Sequence, residues 1–134
     1  MNKKFLWLGV VAIVVMVFIT GCCAPIMPAI GLATVEEIDI LTLESFPVQI
    51  FVIASGYLPD PCTEIYQINQ EREGNTFFIT IETYRSPGFC IQVLAPFEEV
   101  IPLYVYGLPT GTYTVKVNGV QGIFDLEIDN LLSL

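Results

Sequence analysis

The amino-acid sequence predicts an all-β fold, an antiparallel β-sandwich of about seven strands preceded by a helical signal peptide. Apolar residues recur with a period of two after residue 35, and turn residues interrupt these runs at short intervals. No segment after residue 35 carries a sustained apolar helical stripe. Strands joined by tight turns are therefore favoured over helices throughout the predicted domain.

The predicted signal peptide has three parts. Two lysines give it a basic start, and an unbroken apolar run of 15 residues follows from Phe5 to Ile19. That run is shorter than the roughly 20 residues of an ordinary spanning helix. The sequence Ile19-Thr20-Gly21-Cys22 then has the pattern of a lipobox: a branched apolar residue, two small residues and a cysteine. Residues 1–21 are therefore predicted to be a lipoprotein signal peptide, with lipidation at Cys22.

An uncleaved anchor helix is the alternative, since apolar residues resume from Ile26 to Ala33. Pro25 and Pro28 argue against one helix continuing through that stretch. We therefore expect residues 22–35 to form the lipidated N-terminus and a tether, and residues 36–134 to form the β-sandwich domain. The predicted location is the cell membrane, with the lipid-anchored domain on the extracytoplasmic side.

The charge of the mature chain limits its partners. Loss of residues 1–21 leaves three basic residues against 14 acidic ones, a net charge of −11. Such a surface repels nucleic acid and anionic lipid headgroups. The expected partners are the membrane, through the lipid anchor, and an envelope or extracellular protein. DNA and RNA are excluded.

The other cysteines have separate expected roles. Cys62 and Cys90 lie in the folded part of an exported protein and are predicted to form a disulfide. They are 28 positions apart, so closing that loop would stabilise the domain by about 3–4 kcal/mol. Cys23 is left over, as a second acylated residue or a free thiol.

Three strands and two turns are predicted with particular detail. Phe77, Ile79 and Ile81 alternate with Phe78, Thr80 and Glu82, which predicts a half-buried strand, and residues 71–73 are expected to form a polar turn before Gly74-Asn75. The stretch from Val48 to Ile53 is apolar on both faces, which predicts a central strand. Asn118-Gly119 separates two alternating stretches and predicts a hairpin, because both residues tolerate positive φ. In the last stretch Phe124, Leu126 and Ile128 are expected to face inward and Asp125, Glu127 and Asp129 outward.

The sequence contains no histidine, which excludes Ser-His and Cys-His dyads and every imidazole metal site. It also lacks a phosphate-binding loop, a dinucleotide fingerprint and a CxxC motif. The carboxylates of Asp125, Glu127 and Asp129 could bind calcium with carbonyls and water. Their spacing is not that of a calcium loop, so a solvated strand face is favoured. We predict no enzyme activity, no cofactor and no metal; a carboxylate-based hydrolase is the least favoured alternative.

The loop from Tyr57 to Thr63 is the predicted contact surface. Two prolines stiffen it, and the expected disulfide anchors its end at Cys62. A preorganised loop binds at low entropic cost, so we expect partner contact at Tyr57, Leu58, Pro59 and Asp60. A rigid connection between strands and a protease-inhibiting loop are the alternatives. The six tyrosines could also form a glycan-stacking platform, although aromatic residues in strands usually pack in the core or across strands.

One segment carries a family resemblance. The sequence Leu-Pro-Thr-Gly-Thr-Tyr-Thr-Val-Lys-Val-Asn-Gly at 108–119 resembles the late hairpin of immunoglobulin-like domains in bacterial surface proteins. The wider pattern over residues 45–128 looks like uncharacterised bacterial lipoproteins. The resemblance implies an immunoglobulin-like sandwich and carries over no functional residue. The expected function is that of a non-catalytic, lipid-anchored module that binds or supports another envelope component; the alternative is a protease inhibitor acting through the 57–63 loop.

Overall fold

A computed structural model describes residues 29–131 of the protein, and these residues form an all-β domain. Its eight strands are β1 (Ala29–Leu32), β2 (Thr34–Leu43), β3 (Gln49–Leu58), β4 (Thr63–Glu73), β5 (Thr76–Arg85), β6 (Ala95–Pro102), β7 (Gly111–Val117) and β8 (Val120–Leu126). Within this range no helix has the length and apolar character needed to cross a membrane.

The strands form two sheets, which confirms the predicted β-sandwich with eight strands instead of about seven. In the first sheet β5 is central: β4 pairs along one edge, while β7 and β1 share the other edge, and β8 follows β7. The second sheet has the order β2-β3-β6. The β5–β7 pair is parallel, whereas the other pairs are antiparallel.

The two-residue period places alternate side chains in one core between the sheets. In β3, as predicted, the strand is central in its sheet and its inward residues are buried. The rings of Phe77, Tyr113 and Phe124 meet in the core with centroids 5.5–6.2 Å apart. Burying each such apolar side chain stabilises the fold by about 1.5–3 kcal/mol, so this core supplies most of the driving force for folding.

The folded domain includes residues that the sequence assigned to the tether. β1 pairs with the end of β5, and the chain then crosses to the second sheet at Ala33, which is buried together with Val35. The expected domain start near Glu36 is therefore wrong. Proline and glycine nearby suggested irregular structure, and the exposed side chains of β1 gave no alternating pattern.

Gly56 allows this crossing. A Cβ on Gly56 would lie 1.9 Å from the carbonyl oxygen of Thr34, which is closer than any real contact. The register of β2 against β3 shifts at this point, between Val35 and Glu37. Glycine is therefore required where the two backbones meet at the bulge.

Two further expectations need correction. Residues 71–73, expected in a polar turn, belong to β4, and the turn itself is Gly74-Asn75. Ile128, expected to face inward, is exposed because β8 ends at Leu126.

Two asparagine side chains join distant segments. Asn118 has the positive φ that the hairpin requires, and its Nδ2 donates to the carbonyls of Ala33 and Ile81 at 2.8 and 3.0 Å. Asn130 is fully buried, accepts a hydrogen bond from the Val48 N–H at 2.7 Å and donates to the carbonyls of Val48 and Val105. Asn118 thus holds the crossing at Ala33 against β5, and Asn130 holds the C-terminal segment against Val48 and Val105.

Candidate contact surface at the disulfide end

Three segments meet at one end of the sandwich, which we call the disulfide end. In the first sheet Ala29 and Thr63 both pair with Arg85, and in the second Leu58 pairs with Ala95. The start of β1, the 57–63 loop and the segment 86–94 therefore lie together. The opposite end, which we call the far end, contains the Gly74-Asn75 turn and the segment 103–110.

The disulfide between Cys62 and Cys90 is formed, as the sequence predicted, with a Cα–Cα distance of 6.2 Å. It links the β3–β4 connection to the β5–β6 connection and so joins the two loops that cross between the sheets at this end. The backbone N–H of Ser86 also donates to the Cys62 carbonyl at 3.2 Å. Both loops are thereby held against each other.

Asp60 is buried at the centre of this arrangement. Its Oδ2 accepts a hydrogen bond from Arg85 Nε at 2.7 Å, and its Oδ1 accepts from Thr63 Oγ1 and the Cys62 N–H at 2.9 and 3.0 Å. The bond from Arg85 holds the pKa of the Asp60 carboxyl below its usual value, against the opposing effect of burial. Asp60 therefore stabilises the loop, and its expected role in partner contact is wrong.

The expected contact residues are of two kinds, buried and exposed, because side chains alternate between the two faces of β3 and this alternation continues into the loop. Leu58 is buried in the core, so its predicted contact with a partner is also wrong. Tyr57 and Pro59 are exposed, and for them partner contact remains a prediction. A protease-inhibiting loop needs several consecutive exposed side chains, whereas exposed and buried residues alternate from 57 to 60. This alternation does not favour the inhibitor hypothesis.

Tyr57 lies in a shallow acidic groove on the outer face of the second sheet. The groove has a volume of about 490 Å³, and Glu36, Glu37 and Glu98 contribute to its walls together with Pro96. An aromatic side chain beside three carboxylates is suited to contact with a cationic group. This groove and Pro59 make up the candidate contact surface.

Across residues 29–131, Asp60, Cys62 and Cys90 form the one group of three potential metal ligands that lie close together. The two sulfurs are bonded to each other, and both carboxylate oxygens already accept hydrogen bonds. Their geometry is that of a disulfide beside an ion pair. The carboxylates of Asp125 and Asp129 accept separate hydrogen bonds. Asp125 in β8 accepts from Thr112 Oγ1 at 2.6 Å, and Asp129, beyond the end of β8, accepts from the Thr110 N–H at 2.7 Å.

The tyrosines do not form one platform. Tyr113 is buried in the core, and Tyr66 and Tyr84 pair on the outer face of the first sheet, with centroids 6.4 Å apart. Tyr104 and Tyr106 are exposed at the far end, beside a groove of about 300 Å³. A glycan platform built from all six residues is therefore excluded.

One exposed apolar segment was not predicted from the sequence. Residues 86–94 contain no acidic or basic residue, and the side chain of Phe89 is 98% exposed. Ile91, Val93 and Leu94 are exposed as well. The absence of charge was the available signal. Cys22, the predicted lipidation site, lies outside the described residues.

The described part of the chain thus defines a class of protein: a small two-sheet β-sandwich with a disulfide across one end. The chain belongs to the ORF11 beta-sandwich domain family, whose family model matches residues 52–126. That range runs from β3 to β8 and includes both cysteines of the disulfide. No solved structure matches the chain.

Similar proteins occur in Herpetosiphon aurantiacus. The uncharacterized 10.2 kDa protein in the HgiCIIM 5′ region is 36% identical over 87 residues, which cover 64% of this chain and 92% of the relative. The uncharacterized 10.2 kDa protein in the HgiBIM 5′ region is 38% identical over 77 residues, which cover 57% of this chain and 93% of the relative.

Proposed function

We propose that the protein is a lipid-anchored, non-catalytic β-sandwich module of the bacterial cell envelope that binds another envelope component. The observation that carries this proposal is the lipobox Ile19-Thr20-Gly21-Cys22, which begins at the last residue of the apolar run Phe5–Ile19. The thiol of Cys22 is the nucleophile that would receive a diacylglyceryl group, and the small residues before it admit the signal peptidase.

The fold is compatible with such an anchor. Seven peptide units separate Cys22 from Ala29, and an extended chain spans at most about 3.5 Å per residue, so the tether reaches roughly 25 Å. The domain would therefore stand directly outside the bilayer. A disulfide across its end fits an oxidising compartment.

The described side chains also support a non-catalytic role. The one buried carboxylate within residues 29–131 is that of Asp60, and Arg85, Thr63 and Cys62 already occupy its oxygens. A general acid or base must be free to exchange a proton with a substrate. This carboxylate instead holds the β3–β4 loop against the end of β5.

The acidic groove at Tyr57 is the proposed contact surface, and its charge indicates a partner segment with basic side chains. The three groove glutamates lie on a mature chain with a net charge of −11, so electrostatic attraction would favour a cationic partner over an anionic one. Rim charges of this kind mainly raise the association rate and make it sensitive to salt.

Metabolic labelling tests the anchor. The full-length chain, expressed in a bacterium fed labelled palmitate, should carry the label, and Cys22→Ser should lose both the label and lipoprotein-type cleavage. Cys23→Ser is the matched control and should keep the label. Label that persists on Cys22→Ser would overturn the assignment of the anchor.

Site-specific photo-crosslinking tests the contact surface. A photoreactive phenylalanine analogue at Tyr57 should capture an envelope protein in intact cells, and raised salt should weaken the capture. The same analogue at Tyr104, exposed at the far end, is the control. Equal capture from both positions, or none from Tyr57, would contradict the proposed surface.

A further inference from the structure

The segment 86–94 presents apolar side chains to solvent at the disulfide end. Its sequence is Ser-Pro-Gly-Phe-Cys-Ile-Gln-Val-Leu, and Cys90 is its one buried residue, held by the disulfide. Phe89 is 98% exposed, and Ile91 and Leu94 are each more than 60% exposed. Exposed apolar clusters of this kind in a soluble domain mark a contact with a partner or a membrane.

The chain enters the domain beside this segment. Ala29 pairs with Arg85, the residue immediately before Ser86. Ile30 and Leu32 of β1 are exposed on the outer face of the first sheet, and Ile30 pairs with Tyr84. Exposed apolar side chains therefore occur both on the segment and on the strand that leads back to Cys22.

We infer that the segment 86–94 is a second membrane contact, which inserts Phe89 and its apolar neighbours into the bilayer that holds the anchor. The inference rests on the proposed lipid anchor at Cys22. It adds an orientation: the segment 86–94 faces the membrane and the far end points away from it.

The bilayer is the favoured occupant for two reasons. The tether between Cys22 and Ala29 reaches roughly 25 Å, and the segment lies where that tether joins the domain. The segment also lacks acidic and basic residues, although the mature chain carries 14 acidic side chains elsewhere. Apolar insertion needs no anionic headgroup, so the overall negative charge does not oppose it as it would oppose binding through charge.

The disulfide gives the segment a fixed shape. Cys90 is tied to Cys62 in the middle of the segment, so Phe89 on one side and Ile91 on the other are held at the surface instead of collapsing onto the core. A preorganised apolar loop loses less conformational entropy on insertion than a free one.

Tryptophan fluorescence tests the inference. The protein used is the processed, lipidated form that results from expression of the full-length chain. The chain's one tryptophan is Trp7, within the predicted signal peptide, so Phe89→Trp gives the processed protein a single fluorophore. The protein is purified from membranes, its lipidation is verified by mass spectrometry, and it is reconstituted into phosphatidylcholine vesicles. We expect a blue-shifted emission and strong quenching when the acyl chains carry bromine.

Two matched variants complete the design. Tyr104→Trp places the fluorophore at the far end at a residue that is 74% exposed, and its emission should be unshifted and unquenched by bromolipid. Val93→Asp in the Phe89→Trp background should abolish the shift and the quenching. Val93 is exposed, so the melting temperature should stay unchanged.

The outcomes separate this inference from the proposed function. A protein without lipid by mass overturns both. A lipidated protein whose Phe89→Trp emission is unshifted, or is quenched no more than that of Tyr104→Trp, overturns the membrane contact alone. A shift that bromolipid does not quench would assign the segment to a second copy of the chain or to its own residues 23–28, and would also overturn it.

Discussion

Arg85 donates a hydrogen bond from its Nε to Oδ2 of the buried Asp60 across 2.7 Å, joining the last residue of β5 to the loop between β3 and β4. The disulfide Cys62–Cys90 joins the same β3–β4 loop to the segment that follows β5. An ionic contact and a covalent one thus fix the same end of the sandwich, the end at which the chain enters the domain. Stability there should respond to both pH and redox state.

The pH response follows from the lowered pKa of Asp60. Its usual value is 3.8, and the bond from Arg85 lowers it in the folded state. The ionised carboxylate therefore contributes stability above pH 3.8, and the contribution is lost as the pH falls through the folded pKa. We expect Asp60→Asn to lower the melting temperature at neutral pH and the difference from wild type to shrink in acid. Glu44→Gln removes an exposed carboxylate and is the control; a pH-independent difference for Asp60→Asn would contradict the prediction.

Leu58 and Tyr57 are adjacent but should behave differently on truncation. Leu58→Ser removes a buried apolar side chain, and the free energy of unfolding should fall by about 2–5 kcal/mol. Tyr57→Ser should leave stability nearly unchanged and weaken partner capture. Urea denaturation of the two single variants decides the matter. Similar losses in both would mean that Tyr57 is also part of the core and not a contact residue.

Asn130 is expected to be a principal stabilising residue. Asn130→Ala leaves the peptide groups of Val48 and the carbonyl of Val105 without their partner, and each buried unsatisfied group costs about 1–3 kcal/mol. Asn130→Asp keeps the acceptor but loses the donor to two carbonyls, so it should not restore stability at neutral pH. Asn69→Ala, which removes only a bond to Gln67, is the control and should have a small effect.

Reduction of the disulfide should destabilise the domain without unfolding its core. The closed loop of 28 residues corresponds to about 3–4 kcal/mol of chain entropy in the unfolded state. Urea denaturation with and without reductant measures this difference. The variant with both Cys62 and Cys90 changed to serine should have the urea midpoint of the reduced protein, and reductant should not change that midpoint. Equal midpoints for the oxidised and reduced wild type would refute the estimate.

The sequence predicted the features that depend on neighbouring residues. The two-residue period identified β3 and β5 as strands, and β3 as central, because side chains alternate between the faces of a pleated strand. Asn118-Gly119 identified the hairpin, because its turn needs positive φ at both residues. The disulfide followed from the presence of two cysteines in the folded part of a chain that is predicted to be exported.

The predictions from the sequence were wrong where pairing with another strand determines the secondary structure. β1 has no buried side chain, yet it is a strand because its backbone pairs with the end of β5. The 71–73 segment looked like a turn, but it is held in β4 by pairing with residues 76–78. In both cases the backbone hydrogen bonds are made with residues of another strand, either distant in sequence or across a tight turn. The pattern of side chains within the segment itself does not indicate this pairing.

The contact surface shows the same division. The sequence by itself determined that the 57–63 loop is stiffened by prolines, which is a local property, and anchored by Cys62, because the folded part of the chain contains one other cysteine, Cys90. Only the tertiary structure decided that Leu58 and Asp60 are buried, because Leu58 enters a core built from both sheets and Asp60 meets Arg85, 25 residues further along the chain. Only the strand register placed the apolar segment 86–94 beside the start of β1, because adjacency at the end of a sheet depends on which strands pair and in which direction.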